Sequence, residues 1–323
     1  MSTLASPSSV APSPTRLPLV YAQLLLTALC WGALFHVGRY AVSIMSPLAA
    51  AAWRFALAAL IFVPLIAWRE GWSLAAIRRH GWVLAVMSAV GVFGFNTGLF
   101  FGLQATSAVN GALIVAVAPA LTTVLSALVH RRAPNAWQLI GLALGMAGVA
   151  VVVSHGSWTL LRHLHLSHGD ALVLMAAACW SVYSVLPQRF IRGLSPMQIS
   201  GSTIIGGAVL MIVLAGTTSP DFLQMPPVNG QLAIAFMAIF GSVLAYVWWN
   251  DGVKTVGAAQ AAVFMNFVPV FAALIGVLRG EHLGAAQILG AVLVIAGVLA
   301  STALQRPARP ASPAAPALVK ATN

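Results

Sequence analysis

In the stretch CWGALFHVGRY, residues 30 to 40, Trp31 is followed by Phe35, His36, Arg39 and Tyr40 at i+4, i+5, i+8 and i+9. Helical geometry puts Trp31, Phe35 and Arg39 along one stripe and His36 with Tyr40 along the next. A second ladder, Trp180, Tyr183, Ser184 and Gln188, follows 149 residues after the first tryptophan. Polar side chains are also scattered through otherwise apolar runs: Asn96, Asn110, Ser242, Tyr246, Asn250, Gln260 and Asn266. Each can donate and accept a hydrogen bond, which suits a zwitterion or a neutral polar metabolite. These groups recognise small molecules, whereas bond-breaking chemistry needs a clustered nucleophile, base or metal. The chain has no His-Glu-x-x-His, no Gly-x-Ser-x-Gly and no carboxylate pair in apolar surroundings, so no catalytic residue and no cofactor is expected.

Several of these residues have a plainer reading. His36, the one histidine well inside an apolar run, is either a titrating or substrate-contacting group or a buried neutral ring with one hydrogen bond. Trp31 and Trp180 either face a cavity or pack between helices. Isolated polar side chains also tie helices together, and Gly94, Gly98 and Gly102 at four-residue spacing form a close-packing face. Arg39 and Arg54 are expected to snorkel to water near the outer ends of their helices, though either guanidinium matches a carboxylate. The histidines of RHLHLSHGD, His163, His165 and His168, are read with Asp170 as a solvated linker, so no metal centre is expected.

The elements that hold these residues must be membrane helices. The chain is 60% hydrophobic and only 7% charged, with mean hydropathy +0.94, against about a quarter charged in soluble domains. Apolar runs of membrane-crossing length lie at 19–43, 48–68, 81–102, 108–129 and 136–154, then at 170–190, 196–216, 230–252, 258–278 and 285–304. That predicts an all-α integral membrane protein with ten transmembrane helices. The tails, 1–18 and 305–323, are Pro/Ala-rich and read as disordered, and 156–169 as an outer linker. With the N-terminus inside, twelve Lys and Arg fall on the inner side and three on the outer, so both termini are expected in the cytoplasm. The net charge of +11 is spread between spans, pointing to lipid headgroups and not to nucleic acid. Cys30 and Cys179 read as small packing residues.

Residues 28–48 return in altered form at 177–197: Cys30-Trp31 answers to Cys179-Trp180, and Ser46-Pro47 to Ser195-Pro196. Gly102, Pro119, Gly141 and Gly148 likewise answer to Gly252, Pro269, Gly290 and Gly297. Five spans per copy place the second, 170–304, upside down relative to the first, 19–155. Two inverted five-helix repeats around a central cavity are a common plan of secondary transporters. Pro119 and Pro269 are expected to bend their helices and free carbonyls toward that cavity. The five acids all lie in loops or at helix ends, Asp251 being nearest to an exception, which argues against proton coupling through a buried carboxylate.

The segments CWGALFHVGRYAVSIMSPLAAAAWRFALAA and YVWWNDGVKTVGAAQAAVFMNFVPVFAALIGVLRGEHLGAAQILGAVLVIAGV resemble the first two and last three helices of EamA-like repeats in the drug/metabolite transporter superfamily. The resemblance covers nearly all of 20–304 and implies a ten-helix carrier with a central cavity, of a kind that often exports amino acids or other small metabolites. Arg54 fits the family's Arg-Phe pair, where the second half has Thr203; Glu281 fits a Gly-Glu pair, where the first half has Arg131-Arg132. The expected function is export of amino acids or related metabolites from the cytoplasm by alternating access, in a bacterial inner membrane, as monomer or homodimer. Drugs, nucleosides or other metabolites are the alternative cargo, and a membrane-embedded enzyme the rival class.

Overall fold

The computed structural model describes residues 17–129, 131, 133, 136–154, 156–157, 167–256 and 264–302, and every regular element among them is helical. Residues 1–16 and 305–323 of the predicted tails, His163, His165 and Gln260, and the side chain of Gln188, lie outside the described residues, while Leu17 and Pro18, predicted in the tail, open the first helix. In chain order the first half contains α1 (Leu17–Ile44), α2 (Pro47–Arg69), α3 (Leu74–Arg79), α4 (Gly81–Met87), α5 (Phe95–Ala105), α6 (Ala108–Val115), α7 (Ala118–Val129) and α8 (Ala136–Val153). The second half contains α9 (His168–Phe190), α10 (Pro196–Thr218), α11 (Val228–Phe236), α12 (Ala245–Val256), α13 (Phe267–Leu278) and α14 (Ala285–Thr302). Among the described residues, seven helical runs are long and apolar enough to cross a membrane, and Leu139–Val152, Phe264–Leu278 and Ala285–Gly297 are shorter apolar helices.

Local chemistry explains where these helices start. Lipid offers the backbone no hydrogen bonds, so helix ends must be satisfied from within the protein. Ser46 and Ser195 each cap a helix that opens on proline, accepting from Ala49 N at 3.3 Å and Gln198 N at 3.1 Å. Ser107 and Ser167 cap α6 and α9 in the same way.

Corresponding helices of the two halves pack against each other in opposite directions. Asp221, just beyond the end of α10, accepts from the Ser46 amide at the start of α2 at 2.6 Å. Glu70, just beyond the end of α2, accepts from the Ser195 hydroxyl at the start of α10. Each helix therefore begins where the other ends. Trp53 Nε1 donates to Phe222 O at 3.1 Å and Gln198 Nε2 to Gly71 O at 2.9 Å, which ties both ends of the pair again. The α8–α14 pair crosses just as closely. A Cβ on Gly148 would lie 2.8 Å from Gly290 O, one on Gly290 2.9 Å from Gly148 O, and one on Gly297 2.5 Å from Gly141 O. The chain numbers rise along one helix as they fall along the other, so this pair is antiparallel too.

Two π-helices interrupt the third span of each half, at Ser88–Gly94 between α4 and α5 and at Met237–Leu244 between α11 and α12. They start 149 residues apart. Each offers a glycine to a large side chain of the other half: a Cβ on Gly91 would lie 2.1 Å from the Tyr183 ring, and one on Gly241 2.5 Å from Leu34. The Gly94, Gly98 and Gly102 face meets α9 as the spacing predicts, with Gly102 and Gly169 each against the other's carbonyl at 2.8 Å.

Candidate functional site: a central cavity with one buried guanidinium

A central cavity, open at its mouth, is lined by residues of both halves. Trp31 and Phe35 come from α1, Arg54 and Phe55 from α2, Phe95, Asn96 and Phe100 from α5, and Trp180 from α9. Tyr246 from α12, with Met265 and Asn266 from the 3-10 turn Phe264–Asn266, completes the far side. Aromatic and aliphatic surface dominates, with a few convergent polar groups, as in sites for small organic molecules.

Broken helices shape the wall. The run 108–129 is interrupted at Ala116 and Val117, between α6 and α7, just before Pro119. There Val117 N turns to Ile114 O at 3.2 Å, an i−3 bond that tightens the turn. In the second half the 3-10 turn precedes Pro269 in the same manner. Both prolines line the cavity, and the carbonyl of Ala118, just before Pro119, accepts from Ser181 on α9 at 3.1 Å. Proline supplies no N–H and clashes with the preceding turn, so the helix yields at these points.

The tryptophans are held differently. Trp31 donates its indole N–H to Gly241 O in the second π-helix at 3.0 Å, and its ring lies against Tyr246, edge to face at 6.0 Å. Trp180 lies against Phe95 at 5.2 Å and stacks on Tyr183 at 5.3 Å. Exposed Trp68, Trp82 and Trp137 sit near helix ends, as a headgroup belt requires.

Arg54 departs most from the sequence reading. It does not snorkel: the residue is 6% exposed and lines the cavity. Its Nε donates to Ser242 Oγ at 3.2 Å and its Nη1 to Asn96 Oδ1 at 3.3 Å. Its guanidinium carbon lies 4.8 Å from the Phe55 ring centroid and 6.0 Å from that of Phe100. Distance along α2 was the available signal. Arg54 is eight residues past the Ser46 cap, which is about 12 Å of helix rise, far too deep to be an outer-end residue.

The other candidates divide. Trp31, Phe35, Asn96, Trp180, Tyr246 and Asn266 line the cavity, and Ser242 stands behind Arg54 as its acceptor. Tyr183 backs Trp180 and shares a 3.2 Å hydrogen bond with Thr203. His36 turns away from the cavity: Nε2 lies 2.7 Å from Ala272 O and Nδ1 lies 3.6 Å from Glu281 Oε1. A carbonyl only accepts, so Nε2 is a donor here. Arg39 donates to Thr106 O at 2.6 Å, and the Thr106 hydroxyl donates to Asp170 at 2.6 Å. Tyr40 is exposed. Asn110 and Asn250 are not among the lining residues; Asn110 Oδ1 and Asn250 Nδ2 are buried with no hydrogen-bond partner among the described residues. Phe55, Phe95, Phe100 and Met265 line the wall without having been candidates.

Comparison with known proteins agrees with this architecture. A family model described as the EamA-like transporter family matches residues 19–154 and again 167–303. A protein of Bacillus subtilis (strain 168) described as the uncharacterized transporter YyaM is 38% identical over 288 residues, 89% of this chain and 94% of the relative. The uncharacterized inner membrane transporter YedA of Escherichia coli (strain K12) is 27% identical over 294 residues, 88% of this chain and 90% of the relative. One solved crystal structure superposes with a TM-score of 0.63 at 19% identity, over 89% of this chain and 97% of that one, and so shares the fold. With its model matched once on each half, the chain is a multi-pass membrane protein that belongs to the EamA-like transporter family.

Proposed function

We propose that the protein is a secondary transporter that exports amino acids or related small metabolites across a bacterial inner membrane by alternating access. Ten helices form two five-helix repeats of inverted orientation, both termini face the cytoplasm, and the cavity is the transport site. The observation that carries this reading is the antiparallel latching of α2 and α10, in which Asp221 holds Ser46 at one end and Glu70 holds Ser195 at the other. Helices that correspond in sequence and run oppositely around a shared cavity give inward-open and outward-open states of similar energy. The YedA relative's description as an inner membrane transporter supports the location. One chain encloses the cavity by itself, so a monomer suffices and a homodimer would add no lining.

Trp31, Phe35, Asn96, Trp180, Tyr246 and Asn266 are the proposed substrate contacts. Efflux from proteoliposomes loaded with a panel of amino acids and their close derivatives tests the function. Flux for at least one member, saturable and absent from protein-free vesicles, is the expected result; folded protein that moves none of them overturns it.

A further inference from the structure

We infer that, within the proposed cargo, the cavity prefers the related metabolites that bear a single carboxylate on an apolar, aromatic-sized body over free amino acids, with the carboxylate on Arg54. The inference rests on reading this cavity as the transport site. It starts from charge. All five acids of the chain lie among the described residues, and none accompanies Arg54. Glu70 is engaged with Ser195, Asp170 with Thr106 and Asp221 with Ser46, Glu281 lies beside His36, and Asp251 is exposed. The buried guanidinium thus has two neutral acceptors, Ser242 Oγ and Asn96 Oδ1, for its five N–H donors. A cation left uncompensated in a low-dielectric site is costly, and a ligand carboxylate relieves that cost with two parallel charge-assisted hydrogen bonds.

The rest of the wall defines the body. The rings of Trp31, Trp180 and Phe95 share the wall with the guanidinium, and no acid lines the cavity to receive an ammonium group. A zwitterion would bury its ammonium against rings and amides alone, losing hydration without gaining a counter-charge. A monocarboxylate with a ring or branched chain loses nothing of the kind. The second half has Thr203 where the first has Arg54, and Thr203 is spent on Tyr183, so the charge is one-sided and orients the ligand.

Ligands matched in shape separate the possibilities. Purified full-length protein in nanodiscs is titrated with 3-phenylpropanoate, 3-phenylpropanamide and L-phenylalanine, read by quenching of intrinsic tryptophan fluorescence and by thermal shift. The carboxylate is expected to bind about tenfold or more tightly than the amide, with phenylalanine weaker than the carboxylate. Arg54→Gln should reduce the carboxylate-to-amide ratio to about one and Arg54→Lys should retain part of it; a thermal melt of each variant confirms folding. The inference is overturned if 3-phenylpropanoate does not bind, if the amide matches it, if phenylalanine binds more tightly, or if the preference survives in Arg54→Gln. Flux measured alongside keeps the two readings apart. Transport of other solutes without carboxylate preference sinks the subsite and leaves transport standing, whereas Arg54-dependent binding with no flux of any bound ligand does the reverse.

Discussion

The indole N–H of Trp31 donates to the carbonyl of Gly241, 210 residues away, at 3.0 Å. This bond joins the first helix to the π-helix of the other half and fixes the ring at the cavity wall. Removing the donor while keeping an aromatic ring isolates its contribution. Trp31→Phe is expected to lose about 1 kcal/mol of positioning, a several-fold fall in transport efficiency. Trp31→Ala should reduce flux by a further order of magnitude, about 2.4 kcal/mol in all, through lost ring contact. Membrane insertion should be unchanged in both, as judged by the amount of protein in the membrane fraction. Wild-type flux in both variants would remove Trp31 from the site.

His36 makes the opposite prediction. Its bonds to Ala272 O and toward Glu281 hold α1 to α13 and its following loop, and neither reaches the cavity. His36→Ala leaves a buried carbonyl without its donor, at about 1–3 kcal/mol. The melting temperature should fall by several degrees while the KM for a transported substrate stays within about twofold. A large rise in KM at unchanged stability would return His36 to the binding site.

The glycine crossing of α8 and α14 leaves no room for a side chain. Gly148→Val and Gly297→Val each put carbon within 3 Å of a facing backbone carbonyl, so the helices must separate. Each substitution is expected to cost about 1–3 kcal/mol or more, seen as a lower melting temperature, with ligand affinity of the surviving folded protein little changed. Gly81, whose added Cβ would meet nothing within 4 Å, is the control for a glycine lost in a helix.

Asp221 gives stability a pH dependence. Burial works to raise its pKa, but hydrogen bonds from the Ser46 amide and side chain and from its own backbone amide outweigh that and hold it below the ordinary value. A carboxyl whose pKa is lower folded than unfolded contributes stability that is fully present above its unfolded pKa, about 3.9, and is lost as pH falls through the folded one. The difference in melting temperature between wild type and Asp221→Ala should therefore be largest at pH 6 and shrink toward pH 3. It should be small, because the group is near the surface. A difference that grows on acidification contradicts the latch.

Much of this architecture was legible before any coordinates. Lipid imposes long apolar runs, so the runs read at 48–68 and 196–216 fall on α2 and α10. Two of the lining aromatics were legible for a related reason: Trp31 and Trp180 lie too far from either helix end for the headgroup belt. Arg54 was misplaced because its depth along α2 was set aside in favour of the reach of a long cationic side chain; the partners that hold it, Ser242 and Asn96, are 188 and 42 residues away and left no local mark. The π-helices left no mark in hydropathy, since adding one residue to a turn keeps the run apolar. Tyr40 and His36 share a helix with Trp31 and a depth with the cavity, but which face a helix shows its neighbours is decided by packing, and here α13 claims His36.

Alternating access is tested most directly by exposing one cavity position to each side in turn. A single cysteine at Ala116, on the cavity wall in a Cys30→Ala, Cys179→Ala background, is treated with a membrane-impermeant thiol reagent in right-side-out and in inside-out vesicles. The account predicts labelling from both sides, slowed on both by a saturating transported substrate. Labelling from one side only, or from neither in protein that still transports, would contradict it.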